Sequence, residues 1–562
     1  MNTGVRAGLR RRPAHVAVVA TAVLGAAAVA VGIAGAAGLR LGGPAPAGPT
    51  PRFVDETASS ALAFTYDGAV ELSVGGGVAV LDCDADGLPD LYLAGGAGQA
   101  GLFHNDSAVA GPLQFRRVAD PATDLTSVTG AYPIDVDGDG HVDLAVLRSG
   151  GNVVLRGLGG CRFERENEAW GLDGGSLDTM AFSATWEDGN TWPTIAFGNY
   201  VDERIEDPTR WCEPNQLVRP EGGGQRWGRP QPLEPSWCTL SLLFSSWDGS
   251  GRADLRVSND RHYYQQDRGQ EQLWRIEPGH PPRLYTAGDG WERVQVEGMG
   301  IASYDLTGDG LPEVYLTSQA ANHLMTLAGG PSSPTYKDIG LDRGTNVPHP
   351  VIGDDTALPS TAWHPEFADV NDDGLVDLYV SKGNVSQQPD YAKRDPSNLL
   401  LGQPDGTFVE ATEAAGLVNF DRGRGAALVD LNLDGRLDLL ESFYGAPVRI
   451  WRNDGPGDGS SAAAHWLGVR LAQAAPNADA IGATIEVVAG ATVLRRELTI
   501  GGGHSGGQLG WVHFGLGSAD HAEIRVRWPD GTSSPATTVA ADTFTIIDRS
   551  SGARTWRPAA GL

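Results

Sequence analysis

The chain has 562 residues, 41% of them hydrophobic, enough to bury at least one large core and to build more than one domain. Its 70 acidic residues outnumber 42 basic ones, and the net charge of -28 argues against nucleic acid, whose phosphates it would repel, while suiting a cation binder. With 77 glycines, 35 prolines and little helical periodicity, the composition points to an all-β fold of short strands joined by turns.

The N-terminal segment differs from the rest. Arg6, Arg10, Arg11 and Arg12 precede an apolar run from Val16 to Leu39, 24 residues and long enough to cross a bilayer. Residues 1–41 therefore read as a basic stub followed by a signal peptide or signal-anchor helix, and 42–52 as a Pro/Gly linker. The length favours an anchor, while the small residues at 34–38 would admit a signal peptidase. Either way the remainder is expected outside the cytoplasm, membrane-anchored or secreted, with the N-terminal helix the only membrane contact.

The first acidic loop is Asp82-Cys-Asp84-Ala-Asp86-Gly-Leu-Pro-Asp90, and the second, Asp135-Val-Asp137-Gly-Asp139-Gly-His-Val-Asp143, runs into Leu144-Ala-Val-Leu147. Carboxylates at positions 1, 3, 5 and 9 around a glycine turn aim several hard oxygens at one point, which is calcium chemistry. An EF-hand needs a bidentate Glu at position 12 between two helices, whereas here that position is Val146 and a β-branched run follows. The loop is thus predicted to join two strands.

Three further loops complete the intact set: Asp305, Thr307, Asp309 and Glu313; Asp369, Asn371, Asp373 and Asp377; and Asp430, Asn432, Asp434 and Asp438. Between the second and third lie two eroded copies. Ser246, Asp248, Ser250 and Asp254 make a weak metal loop, and Trp186 to Thr194 keeps little more than the frame. The seven starts are 51 to 64 residues apart, and each unit carries about four strands, the dimensions of one propeller blade. A parallel β-helix has much shorter coils. Calcium is the expected cofactor, with about five well-formed loops.

Cys212 and Cys238 bracket a Pro/Gly/Trp-rich insertion, 201–240, and are predicted to form a disulfide; the sequence does not decide whether Cys83 and Cys161 pair. No Cys-x-x-Cys spacing supports zinc. Phe53 to Thr57, unattached at the N-terminus, is predicted to pair with the last unit and close the ring, which removes exposed strand edges.

These loops resemble the FG-GAP/VCBS repeats, with their D-x-D-x-D-G-x-x-D-L signature. His465-Trp-Leu-Gly468, Asn477 to Gly482, His513 to Gly517 and Arg525-Val-Arg-Trp-Pro-Asp-Gly531 resemble the ASPIC/UnbV domain. Together they are similar to the cartilage acidic protein family. The resemblance implies a calcium-loaded, extracytoplasmic seven-bladed β-propeller over 53–456 and a small β-rich C-terminal domain over 465–549, leaving 550–562 as a tail. The alternating stretches Thr484–Val488, Val493–Ile500 and Ile524–Trp528 read as strands of that domain.

No Ser-His-Asp order, histidine metal triad or isolated carboxylate pair stands out, and Gly501-Gly-Gly503 lacks the lysine and helix of a phosphate loop. His504 and His513 read as structural. The preferred expectation is a non-enzymatic binding or scaffold protein with mainly structural calcium and a protein, glycan or small-molecule ligand; Trp186, Trp192, Trp211, Trp227 and Trp237 either line a contact surface or pack the insertion. The alternative is a calcium-dependent enzyme or resistance protein acting on a carbohydrate or an enediyne-type secondary metabolite, the latter implied by bacterial members of the family.

Overall fold

A computed structural model describes residues 46–558 except 203, 261–270, 293, 295, 320, 347–357, 386–389 and 458–463. The expected N-terminal helix lies outside the described residues. Among those described, no helix is long and apolar enough to cross a membrane.

The fold is all-β, with nine sheets among the described residues. Seven follow one another along the chain as antiparallel meanders of four strands, the second gaining Gly96–Gln99 as a fifth. Their first strands are Val78–Leu81, Thr126–Ile134, Thr179–Thr185, Thr239–Ser245, Gly298–Tyr304, Ala362–Ala368 and Gly423–Val429. Each loop described above joins a first strand to a second. In every sheet the second strand begins at the ninth loop position: Asp90, Asp143, Thr194, Asp254, Glu313, Asp377 and Asp438. That residue always pairs with the one preceding the loop, as in Ile134 with Asp143 and Thr185 with Thr194. The eroded loops therefore keep the register of the intact ones.

First strands touch in sequence from sheet to sheet, and that of the seventh touches that of the first. An apolar cluster fills each junction, for example Leu144, Val146 and Tyr92 between the first two sheets and Leu440, Ile450 and Leu91 between the seventh and the first. Burying one such leucine or isoleucine contributes about 1.5–3 kcal/mol, so continuous packing around the junctions is the main cohesive force. Pro51–Asp55 pairs antiparallel with Ala446–Pro456 as the outer strand of the seventh sheet, matching the expected closure.

Both disulfides form, Cys212 with Cys238 and Cys83 with Cys161. The expected insertion at 201–240 needs correction. Asn215–Val218 and Gln231–Leu233 are the outer two strands of the third sheet, so only the connections around them are extra. Trp192 and Trp227 are buried and interlock with Trp170 at centroid distances of 5.0 to 5.9 Å, so they pack the core.

The C-terminal domain has two four-stranded sheets around Leu467, Ile485, Val487, Phe514 and Trp528. Gly552–Trp556 is an edge strand paired with Thr543–Asp548, so the domain extends past residue 549 into the expected tail. The strand expected over Val493–Ile500 runs only from Thr492 to Glu497. The chain then leaves the domain.

From Ile500 to Gln508 it enters the space between the first strands and bridges to five sheets, at Val80, Ala131, Ala184, Leu243 and Ile301. Glycine is required for such close passage: a Cβ on Gly506 would lie 2.0 Å from the Val78 carbonyl oxygen, and one on Gly501 2.4 Å from Ser183 Oγ. His504 is wholly buried, bonds through Nε2 to the Val74 carbonyl at 2.6 Å and packs on Trp363. The triple glycine thus lets the chain thread between sheets.

Candidate metal loops beneath the C-terminal domain

Each of the five intact loops closes on itself in the same way. The carboxylate at position 1 accepts the backbone N–H of position 6, as in Gly140 to Asp135 at 3.1 Å, Gly310 to Asp305 at 3.0 Å, Gly374 to Asp369 at 2.7 Å and Gly435 to Asp430 at 2.8 Å. Position 6 is a glycine at φ near +90° wherever the loop is intact, for example Gly87 at 93° and Gly435 at 90°.

The ninth carboxylate is a brace. One Asp143 oxygen accepts the N–H of Val136 in the loop and the other that of Gly157 on the third strand, both at 2.8 Å. Asp90, Asp377 and Asp438 repeat the arrangement with Asn105, Gly402 and Asn453. Glu313 accepts from Leu306 and from the Thr326 hydroxyl instead. One carboxylate so ties the loop, the second strand and the third strand together. Each oxygen keeps a lone pair with which it can also meet a cation.

The donor set fits a hard divalent cation. Oxygens of Asp82, Asp84 and Asp86 lie within 4.8 Å of one another, as do those of Asp135, Asp137 and Asp143, and Asp82 Oδ1 is buried without a hydrogen-bond partner. Asn371 and Asn432 replace carboxylates in the sixth and seventh loops, and Thr307 does so in the fifth, keeping oxygen donors at position 3. Burial pushes the carboxyl pKa of Asp82 and Asp135 up to about 6 and that of Asp90 up to about 8. Asp143, Asp369, Asp377, Asp430 and Asp438 also rise well above the usual range, first through burial. A bound cation would supply the missing opposite charge.

Basic side chains already enter several loops. Arg156 reaches Asp137 at 2.8 Å and Asp139 at 2.7 Å, and His104 Nε2 reaches Asp84 at 2.9 Å. In the third sheet the substitution is complete: Glu187 is held by Arg219 at 2.6 Å and accepts the hydroxyl of Thr194, the ninth residue. In the fourth, Asp254 meets Arg252 at 3.1 Å, Trp247 Nε1 at 2.9 Å, the Tyr285 hydroxyl at 2.8 Å and the Ile276 N–H at 3.1 Å. Sequence reading missed both arginines. Arg252 was visible at position 7, whereas Arg219 is 32 residues from its partner.

Six of the seven loops also touch the C-terminal domain. Trp511 Nε1 donates to the Gly87 carbonyl, Gly138 abuts Ala475, and Arg527 donates to the Gly249 carbonyl. Arg495 meets Asp305 at 3.2 Å, His513 meets Asp372 at 2.7 Å, and Gly435 abuts Trp466. The loops form a platform, and the domain rests on it.

Residues 82–146 match the FG-GAP-like repeat model, and residues 473–554 match that of ASPIC and UnbV. Both matches fall on the segments whose motifs resemble those two families. Cartilage acidic protein 1 of Mus musculus is 26% identical over 165 residues, and that of Homo sapiens 25% over 156. Each match covers 27% of this chain and 22% of the relative, about a fifth of its length.

Among solved structures, an Agrocybe aegerita lectin that recognises non-reducing terminal N-acetylglucosamine aligns over 68% of this chain and 92% of its own, with 19% identity and a TM-score of 0.39. Trypanosoma rangeli sialidase aligns over 62% of this chain and 58% of its own, with 11% identity and a TM-score of 0.34. At these scores the likeness carries no argument about ligand or reaction.

Proposed function

We propose that the seven sheets are the blades of one closed propeller, that five of its loops bind calcium, and that the protein is an extracytoplasmic binding or scaffold protein. The carrying observation is the position of the loops: they brace the blades from within and support the C-terminal domain from below. Calcium there stabilises a surface made jointly by the two domains. The two disulfides support an oxidising, extracytoplasmic setting. Extracellular calcium modules bind with dissociation constants of about 10⁻⁴ to 10⁻³ M, which suits structural loading there.

The test is metal analysis of the purified chain combined with calorimetry in calcium and in chelator. The expected result is close to five ions per chain and one cooperative transition for both domains when loaded. Fewer than two ions, or melting that ignores chelator, overturns the reading.

A further inference from the structure

Between the propeller body and the C-terminal domain lies a crevice of about 180 Å³, adjoined by two smaller cavities of about 50 and 100 Å³. Leu243, Ile301 and Phe367 form its apolar wall, and the threaded glycines Gly501–Gly503 and Gly506–Gly507 line it. The three cavities share two side chains, Arg496 and Gln508. They meet at that pair.

Arg496 differs from the other cations around the crevice. Arg495 is engaged by Glu486 at 2.8 Å and Asp305 at 3.2 Å, and Arg527 by the carbonyls of Gly249 and Ser250. Arg470 is 3.6 Å from Asp82. Among the described residues the Arg496 side chain makes no hydrogen bond or ion pair, although the residue sits half-buried on the strand Thr492–Glu497, its backbone paired with Ile485. An arginine side chain lining a cavity without a partner is a receptor for a planar anion, since its fork matches a carboxylate in two parallel bonds.

The remaining walls restrict that anion. Glu366 accepts from Gln508 Nε2 at 2.7 Å and from the Leu428 N–H at 3.0 Å, and Glu497 accepts the Ser246 N–H at 3.0 Å. Asp305 is paired with Arg495, which leaves Glu366 and Glu497 to disfavour a second negative charge and attract a positive one. The main cavity, about 180 Å³, has room for one amino acid or one sugar ring.

We propose that this crevice binds a small zwitterionic carboxylate of the amino-acid class, its carboxylate on Arg496 and its ammonium toward Glu366 and Glu497. This goes beyond the calcium-scaffold reading, because calcium loading leaves the crevice ligand undefined.

The experiment is titration calorimetry on the full, calcium-loaded chain with L-serine, glycine betaine, acetate, glucose and inorganic phosphate. L-serine is expected to bind best, acetate more weakly, and glucose and phosphate not at all. Arg496→Gln should weaken L-serine at least tenfold, as expected for losing a two-pronged charged contact, with Arg496→Lys in between. Glu366→Gln should reduce L-serine binding while sparing acetate.

No binding of either zwitterion by the wild-type protein overturns the proposal without recourse to a variant. Preference for phosphate, or glucose binding indifferent to Arg496→Gln, overturns it too. Ion content and melting in calcium are measured on each variant, so a failed calcium scaffold is distinguishable from a failed ligand site.

Discussion

The second and third sheets carry the same loop frame and neutralise it in opposite ways. In the second, Asp135, Asp137 and Asp143 converge, with Arg156 reaching Asp137 and Asp139 from the rim. In the third, Arg219 lies on Glu187, and threonine occupies the ninth position. Both keep the register, both start the second strand at the ninth residue, and both pack on the same apolar cluster. The turn therefore needs its negative charge balanced, by Arg219 in the third sheet and, on the proposed reading, by an ion beside Arg156 in the second. If the intact loops hold calcium as proposed, a protein that replaces some ions with side chains would lose less when calcium is withdrawn.

The comparison can be broken most forcefully by chelation. A site held at a hundred times its dissociation constant adds about 2.7 kcal/mol, so emptying five such sites removes on the order of 10 kcal/mol. Calorimetry in chelator should show a melting transition lowered by more than about 10 °C, and hydrogen exchange should rise around the second loop before the third. Equal exchange at both would mean that ion and arginine are not alternatives.

Removing the brace comes next. Asp143→Ala leaves the N–H groups of Val136 and Gly157 without acceptors, at a cost of about 2–5 kcal/mol. Asp254→Ala in the arginine-filled fourth loop should cost a similar amount and, unlike Asp143→Ala, should leave the bound-ion count unchanged. Urea denaturation with metal analysis separates the two roles.

Arg219→Ala strands buried Glu187 and should cost about 3 kcal/mol. Added calcium should restore part of that loss if the third loop retains the shape of an ion site. A cost unchanged by calcium would show that the arginine has reshaped the loop beyond recovery.

The smallest effect is on pH dependence. Asp82, Asp135 and Asp90 have folded pKa values of about 6, 6 and 8, above the ordinary 3.8, because they are buried. In chelator the folded chain then holds protons that the unfolded chain has released, so stability is full below about pH 4 and declines as pH rises toward 8. Calcium should flatten this slope. A chelated protein that gains stability between pH 5 and pH 8 would contradict the assignment.

Much of this architecture was legible because the loop signature fixes a register. The ninth carboxylate is at once an acceptor for N–H groups of the loop and the third strand and the first residue of the second strand, so its spacing reports the sheet. The seventh-sheet closure at Phe53 and the Cys212 to Cys238 bridge were readable from unpaired pattern and position. The strands Asn215–Val218 and Gln231–Leu233 were not, being short and, in one case, containing proline. The threaded segment left no periodic trace either, since its partners are backbone groups far away in sequence, such as Leu242 and Ile301. Gly501-Gly-Gly503, weighed in the sequence only against a phosphate loop, is a passage between strands.

That passage sets an order of assembly. Ser183, Ser241 and Ala131 find acceptors or donors on residues 500–505, and His504 reaches Val74 across 430 positions. During synthesis these bonds cannot form until the glycine segment has left the ribosome. The seven sheets can collapse as they emerge, yet the contacts among five of their first strands are completed only when residues 500–508, made after the last of those sheets, are drawn in between them.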